Sequence, residues 1–281
     1  MKVIDFRVRP PYGSFLKAVP YLDLKRTEFV CQRMGVYLPE AARQGSVELM
    51  VREMDEAGIE RAVIPARKTN PSYGMVDNRD VQHFIDLDPG RFLGFMGVDP
   101  LEGQGALAEI ERLAVKGGFT GVIMEAGMLS EPLYADDQRI HPVYDLCQSS
   151  GVPVILMNGA NAGPDVSYSN PLAVDHVAAA FPKLKLVVSH GGWPWVTQML
   201  HVAWRRPNVY VSPDMYMVNF PGWQDYVTAA NYTLRDRFLF GTAYPFVPFQ
   251  AGIDYFTKSG ILEERLDDLL YHNAARLLGL E

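Results

Sequence analysis

Three charged residues stand at alternate positions near the start of the chain. Asp5, Arg7 and Arg9 lie in the run Lys2-Val3-Ile4-Asp5-Phe6-Arg7-Val8-Arg9-Pro10-Pro11. Alternate side chains of a strand share one face. The spacing predicts a charged face of Asp5, Arg7 and Arg9 and an apolar face of Ile4, Phe6 and Val8 packed on helices. Two guanidinium groups about 7 Å apart along a strand repel each other. Each offers donors and no acceptor, and each can hold a carboxylate through two parallel hydrogen bonds. Such a pair calls for an anion, supplied by a protein carboxylate or by a ligand. The competing reading is a structural ion pair beneath a loop.

The elements that must position these residues follow from hydrophobic periodicity. After the first strand, short apolar runs recur near 61–65, 92–98, 121–124, 152–157, 184–189, 208–212 and 238–241. Helical patterns alternate with them over 46–58, 76–88, 105–116, 137–150, 172–181, 195–205, 222–230 and 263–278. Ser46 is placed to cap one helix and Gly58 to end it. Wholly apolar strands between amphipathic helices predict a parallel sheet covered on its outer face. The alternation predicts one α/β domain over 1–281, a (β/α)8 TIM barrel with a long loop after the first strand. An open doubly wound sheet is the weaker alternative, because no GxGxxG turn follows the first strand. The irregular segment 10–45, with a short helix near 23–32, is long enough to be a lid or binding loop. Barrel enzymes carry their chemistry where strands end. That rule selects Arg7, Arg9, Arg67, Glu125, Asn158, His190, Asp214 and Tyr244.

Composition narrows the classes of partner. The 281 residues are 48% hydrophobic and 21% charged, with a net charge of −7. No Lys/Arg cluster interrupts that balance, so nucleic acid and anionic membranes are poor partners. Cys31 and Cys147 show no metal spacing, which points to a reducing cytoplasm. No signal peptide is recognised, and no apolar run reaches the roughly 18 residues of a membrane span.

With the strand ends marked, the chain resembles the amidohydrolase-related barrels. The similar branch contains aminocarboxymuconate-semialdehyde decarboxylase, the resorcylate-type decarboxylases and pyrone dicarboxylate lactonase. The resemblance runs through Ile4-Asp5 with Pro10, Met54-Asp55-Glu56-Ala57-Gly58-Ile59, Pro89-Gly90-Arg91-Phe92 and Val98-Asp99-Pro100. It continues through Phe181-Pro182-Lys183-Leu184-Lys185, His190-Gly191-Gly192, Phe240-Gly241-Thr242-Ala243-Tyr244-Pro245 and Asn273-Ala274-Ala275-Arg276-Leu277-Leu278-Gly279. In that family two histidines at the end of the first strand, one after the fifth and an aspartate after the eighth bind a divalent metal. The matching positions here are Arg7, Arg9, Met157 and Ala243. The resemblance therefore implies a site without the usual metal and without a cofactor. It leaves His190 as the general base or acid.

On this reading Arg7 and Arg9 hold a substrate carboxylate or a developing oxyanion. Arg67 adds a second anionic contact, or is a solvent-facing loop charge. Glu125 neutralises one of the two strand arginines and stays ionised. Asn158 is a further substrate contact, and Asp214 and Tyr244 orient His190 or donate to substrate. Loop aromatics and methionines, among them Tyr12, Phe15, Tyr168, Met215, Met217, Phe220, Phe246 and Phe249, supply walls for a flat ring. The expected function is a metal-independent, lactonase-like hydrolase of a small carboxylated ring or unsaturated acid. The alternatives are a non-oxidative decarboxylase of a similar substrate and a non-catalytic anion-binding barrel. The expected partner is a small anionic molecule, with self-association left open.

Overall fold

Among the described residues, seven short runs form the sheet: β1 (Val3–Asp5), β2 (Ile59–Pro65), β3 (Phe92–Gly97), β4 (Gly121–Met124), β5 (Val154–Met157), β6 (Leu186–Ser189) and β7 (Val209–Ser212). All are parallel and neighbours follow sequence order. The structure is a computed structural model and describes residues 2–280. The expected eighth strand, 238–241, is a closing stave held by isolated bonds. Leu239 N donates to Val211 O at 2.9 Å on the β7 side, and Phe6 N to Phe240 O at 3.0 Å on the β1 side. The ring is therefore closed, as a TIM barrel requires.

Alternation along each strand divides two apolar layers. Ile4, Val63, Phe95, Ile123, Ile155, Val187 and Leu239 pack together inside the ring. Their neighbours, such as Val3, Ala62, Ile64, Met96, Val122 and Val188, join the layer beneath the helices. Phe95, with Phe6 the bulkiest filler, lies opposite Gly121 in register. A Cβ at Gly121 would stand 2.3 Å from the Phe95 ring, so only glycine admits that ring.

The first strand departs from the simple alternation. Ile4 and Phe6 fill the barrel interior, not its outer face, and only Val8 joins the outer layer. Ile4 and Phe6 still share one face; the alternation breaks beyond them, at a bend after β1. The Asp5 carboxylate accepts the backbone N–H of Arg7 at 2.9 Å, with Thr242 N at 3.0 Å and Thr242 Oγ1 at 2.5 Å. That turn lets Phe6 and Arg7 both face inward, with Phe6 in the core and Arg7 above it.

The outer helices are α1 (Leu24–Met34), α2 (Glu40–Gln44), α3 (Val47–Ala57), α4 (Asn78–Leu87), α5 (Gln104–Ile110), α6 (His141–Ser150), α7 (Pro171–Ala180), α8 (Val196–Arg205), α9 (Trp223–Thr228), α10 (Phe249–Lys258), α11 (Glu263–Asp267) and α12 (Asn273–Leu278). Ser46 caps α3 through a 3.1 Å bond from Leu49 N, and left-handed Gly58 ends it. The helices α2 and α10 were not expected. Among the described residues no helix is long and apolar enough to cross a membrane.

Candidate active site

The strand tops build one polar layer above the apolar lumen. Met157, Ser189 and Ser212 are register partners across β5, β6 and β7. Arg7 lies over this layer and is only 5% exposed. Its Nη1 donates to Ser189 Oγ, and its Nη2 lies 3.9 Å from the Met157 sulfur. Its Nε is buried and has no partner among the described residues. Nε and Nη2 form one edge of the guanidinium, the edge that takes a carboxylate side-on. A thioether is a weak acceptor, so that edge is nearly unused.

Arg9 donates from Nη1 to the carbonyls of Ala243 at 3.0 Å and Tyr244 at 3.5 Å, and stands 5.9 Å from the centre of the Phe246 ring. Burial, with Arg7 adding repulsion, pushes its guanidinium down to about 9, which leaves it cationic at neutral pH. Among the described residues, neither Arg7 nor Arg9 has a carboxylate within ion-pair distance.

His190 follows β6 in a left-handed turn, with φ of 63° at His190 and 58° and 76° at Gly191 and Gly192. A non-glycine residue there costs on the order of 1–3 kcal/mol. The turn sets its ring beside Asp214, itself left-handed at φ 43°. Nδ1 lies 2.9 and 3.0 Å from the two carboxylate oxygens, and the His190 backbone N–H donates to the same group at 3.3 Å. Met215 N donates to Asp214 at 2.6 Å. Burial alone would raise Asp214, but His190, Arg7 and Arg9 outweigh it and hold the carboxyl below its ordinary value. Burial lowers the His190 imidazole, Asp214 opposes that, Arg7 and Arg9 reinforce it, and the net shift is downward. His190 is therefore neutral at pH 7, with Nδ1–H on Asp214. Nε2 is left as the basic atom, bonded to none of the described residues.

Ser189 is a residue of the candidate site that the strand-end rule passed over. Its hydroxyl accepts from Arg7 and donates to Asp214 at 3.4 Å, which joins the cation to the His–Asp pair. The available signal was a hydroxyl closing the apolar run Leu186-Val187-Val188. Asp5 was seen only as one charge of three, and it is the hub of the β1 bend. Burial raises its carboxyl to about 7 against three hydrogen bonds, with Asp214 adding to the rise.

Other expected site residues are used differently. Glu125 does not neutralise Arg7 or Arg9. Both Nε and Nη2 of Arg67 bind its Oε2 at 2.8 Å, and Arg67 Nη1 donates to Tyr73 O at 2.6 Å. Burial would raise Glu125, but Arg67 outweighs it, with Arg7 and Arg9 helping, and holds it low. The carboxylate edge of Arg67 is thus filled by the protein itself. The Tyr244 hydroxyl makes no bond to His190 among the described residues. It donates to Glu53 of α3 at 2.7 Å, and the buried Tyr244 ring stacks on Phe249. Asn158 is buried, its Nδ2 donating to Ser169 O at 3.1 Å and its Oδ1 without a partner among the described residues.

Part of the expected aromatic wall is present beside His190. Tyr216 meets the imidazole edge-on at 5.1 Å, and Trp193 and Phe220 pack on Tyr216 at 5.2 and 4.6 Å. Tyr12 instead stacks on His83, and Tyr168 on Tyr134.

The residues at the four positions singled out by resemblance do not fit a divalent cation. Arg7 and Arg9 offer donors only, Ala243 has no ligating side chain, and Met157 offers a soft thioether. Among the described residues no group of three or more His, Cys, Asp or Glu side chains gathers to hold a metal.

The model of the amidohydrolase family matches residues 4–280. The chain is 40% identical to an uncharacterized TIM-barrel protein of Bordetella bronchiseptica, over 99% of each chain, with a TM-score of 0.93. It is 23% identical to the gamma-resorcylate decarboxylase of a Polaromonas species, over 82% of this chain and 86% of that one. The solved 2,6-dihydroxybenzoate decarboxylase of Rhizobium shares the fold at a TM-score of 0.70 and 18% identity, over 100% and 99% of the two chains.

Proposed function

Because the chain belongs to the amidohydrolase family, we propose that it is a metal-independent, non-oxidative decarboxylase of a small hydroxylated aromatic acid. The observation that carries this reading is the open Nε–Nη2 edge of buried Arg7. Arg7 and Arg67 present the same edge. On Arg67 it holds Glu125, while on Arg7 it meets only a sulfur. A buried guanidinium without a carboxylate is costly, and a substrate carboxylate removes that cost. The names of the decarboxylase relatives support placing decarboxylation ahead of the hydrolysis expected from sequence.

In this reading the carboxylate of the substrate lies on Arg7, with Arg9 adding positive potential. The ring lies toward Tyr216. Asn158 Oδ1 accepts a ring hydroxyl. His190 delivers a proton from Nε2 to the ring carbon that bears the carboxylate. The bond to CO2 breaks, its electron pair stays in the ring, and Asp214 steadies the imidazolium while it exists.

A second reading is favoured by one observation: the neutral His190, backed by Asp214, is also a base for water. That is a lactonase-like hydrolysis with Arg7 on the oxyanion. The sign of the pH dependence separates the two. An acid role makes kcat/KM fall as pH rises through the lowered His190 value, and a base role makes it rise. The direct test is incubation with 2-hydroxy- and 2,6-dihydroxybenzoates and with cyclic ester acids, assayed for CO2 and for ring opening. CO2 release lost in His190→Asn supports the decarboxylase. Ring opening without CO2 supports the hydrolase. Binding without either product supports an anion-binding barrel.

A further inference from the structure

His190 faces an excess of positive charge. Arg7 and Arg9 approach from the end of β1, and Asp214 and the neutral Tyr216 phenol from the segment after β7. Across the mouth, Arg67 and Glu125 cancel each other. Asp5, under the β1 bend, is raised to about 7 and carries only part of a negative charge near neutrality. Two guanidinium groups are thus set against one firmly ionised carboxylate. A bonded chain connects them, from Arg7 Nη1 through Ser189 Oγ and Asp214 to Nδ1 of His190.

We propose that filling the anion site switches His190 from a base to an acid, so that the protein takes up a proton as the carboxylate binds. Burial is the larger cause of the lowered imidazole; a carboxylate on Arg7 offsets the other, the positive charge of Arg7 and Arg9, and lets Asp214 raise it. Nδ1 already donates to Asp214, so the added proton goes to Nε2, the free ring atom. Ser189 acts as a positioning residue, holding the guanidinium that receives the anion and the carboxylate that steadies the imidazolium on one hydroxyl. Decarboxylation of a carboxylate anion consumes one proton per CO2 released. Uptake on binding supplies that proton at the atom that gives it up, and His190 returns to neutral when the product forms. The inference rests on the anion-site reading of Arg7 and extends it from where the substrate binds to when the acid is made.

The experiment is calorimetric titration of the intact protein with 2-hydroxybenzoate between pH 6 and 8, in paired buffers of different ionisation heat. Wild-type protein takes up a measurable fraction of a proton, at most one, per bound anion in the window between the free and bound values of His190. By linkage, affinity falls up to about tenfold per pH unit there. His190→Asn, which suits the left-handed backbone, binds the anion with no uptake, and Ser189→Ala binds it with reduced uptake. Binding to wild type without proton uptake overturns the switch and leaves the anion site standing. Failure of 2-hydroxybenzoate, benzoate and a dicarboxylate to bind at all overturns both.

Discussion

Replacing Arg7 by methionine separates a ligand-binding arginine from a structural one, because the two roles predict opposite changes in stability. Arg7 is 5% exposed and unpaired, with its one full hydrogen bond on Ser189 and its Nε without a partner. Removing an uncompensated buried charge in favour of an apolar side chain of similar length removes its desolvation cost and should be neutral or stabilising. For a chain of this size any stabilisation raises Tm by roughly 2–4 °C per kcal/mol. Binding moves the other way. Truncating one partner of a buried, hydrogen-bonded charge pair costs about 2–5 kcal/mol, or roughly 30- to 4,000-fold in Kd. Arg67→Met is the contrast, since it strands buried Glu125 and should destabilise by about 3–5 kcal/mol. Thermal and urea unfolding, with titration by 2-hydroxybenzoate, read both quantities. Arg7→Met that loses stability as Arg67→Met does, or that binds the anion within about twofold of wild type, refutes the reasoning.

Asp5 binds a proton up to about pH 7 when folded, against an ordinary 3.8. The folded state therefore holds the extra proton between those values, and stability should fall as pH rises from about 4 to about 7, by up to about 4 kcal/mol. Urea unfolding of Asp5→Asn across this range should show that slope removed; an unchanged slope contradicts the assignment. Gly121→Ala drives a methyl into the Phe95 ring and should cost about 1–3 kcal/mol by thermal melt. Ser46→Ala removes the α3 cap and should cost about 1 kcal/mol. With a turned-over hydroxybenzoate, kcat/KM should fall as pH rises past the lowered His190 value while kcat holds to higher pH; a rise of kcat/KM with pH would mark His190 as a base.

The barrel was legible because each strand is a short apolar run between amphipathic helices, and parallel strands buried on both faces leave that trace. The candidate site was legible in outline, since the strand-end rule selected Arg7, Arg9, His190 and Asp214, which the fold brings together. It failed where a local bond overrode periodicity. The Asp5 turn breaks the alternation after Phe6, so that Arg7 also faces inward and crosses the mouth above Ile4 and Phe6. Pairing was likewise hidden. No pattern in one dimension says that Glu125 takes Arg67 and leaves Arg7 open, or that the Tyr244 hydroxyl turns to Glu53. Ser189 escaped notice because a serine at a strand end is common, and its two bonds exist only in three dimensions.

The most direct test of the central claim is a crystal structure of the protein with a hydroxybenzoate bound. The account predicts the carboxylate within about 3 Å of Nε and Nη2 of Arg7, the Met157 sulfur displaced from that edge, and His190 Nε2 facing the ring. A carboxylate bound elsewhere, with Met157 still against Arg7, would contradict it.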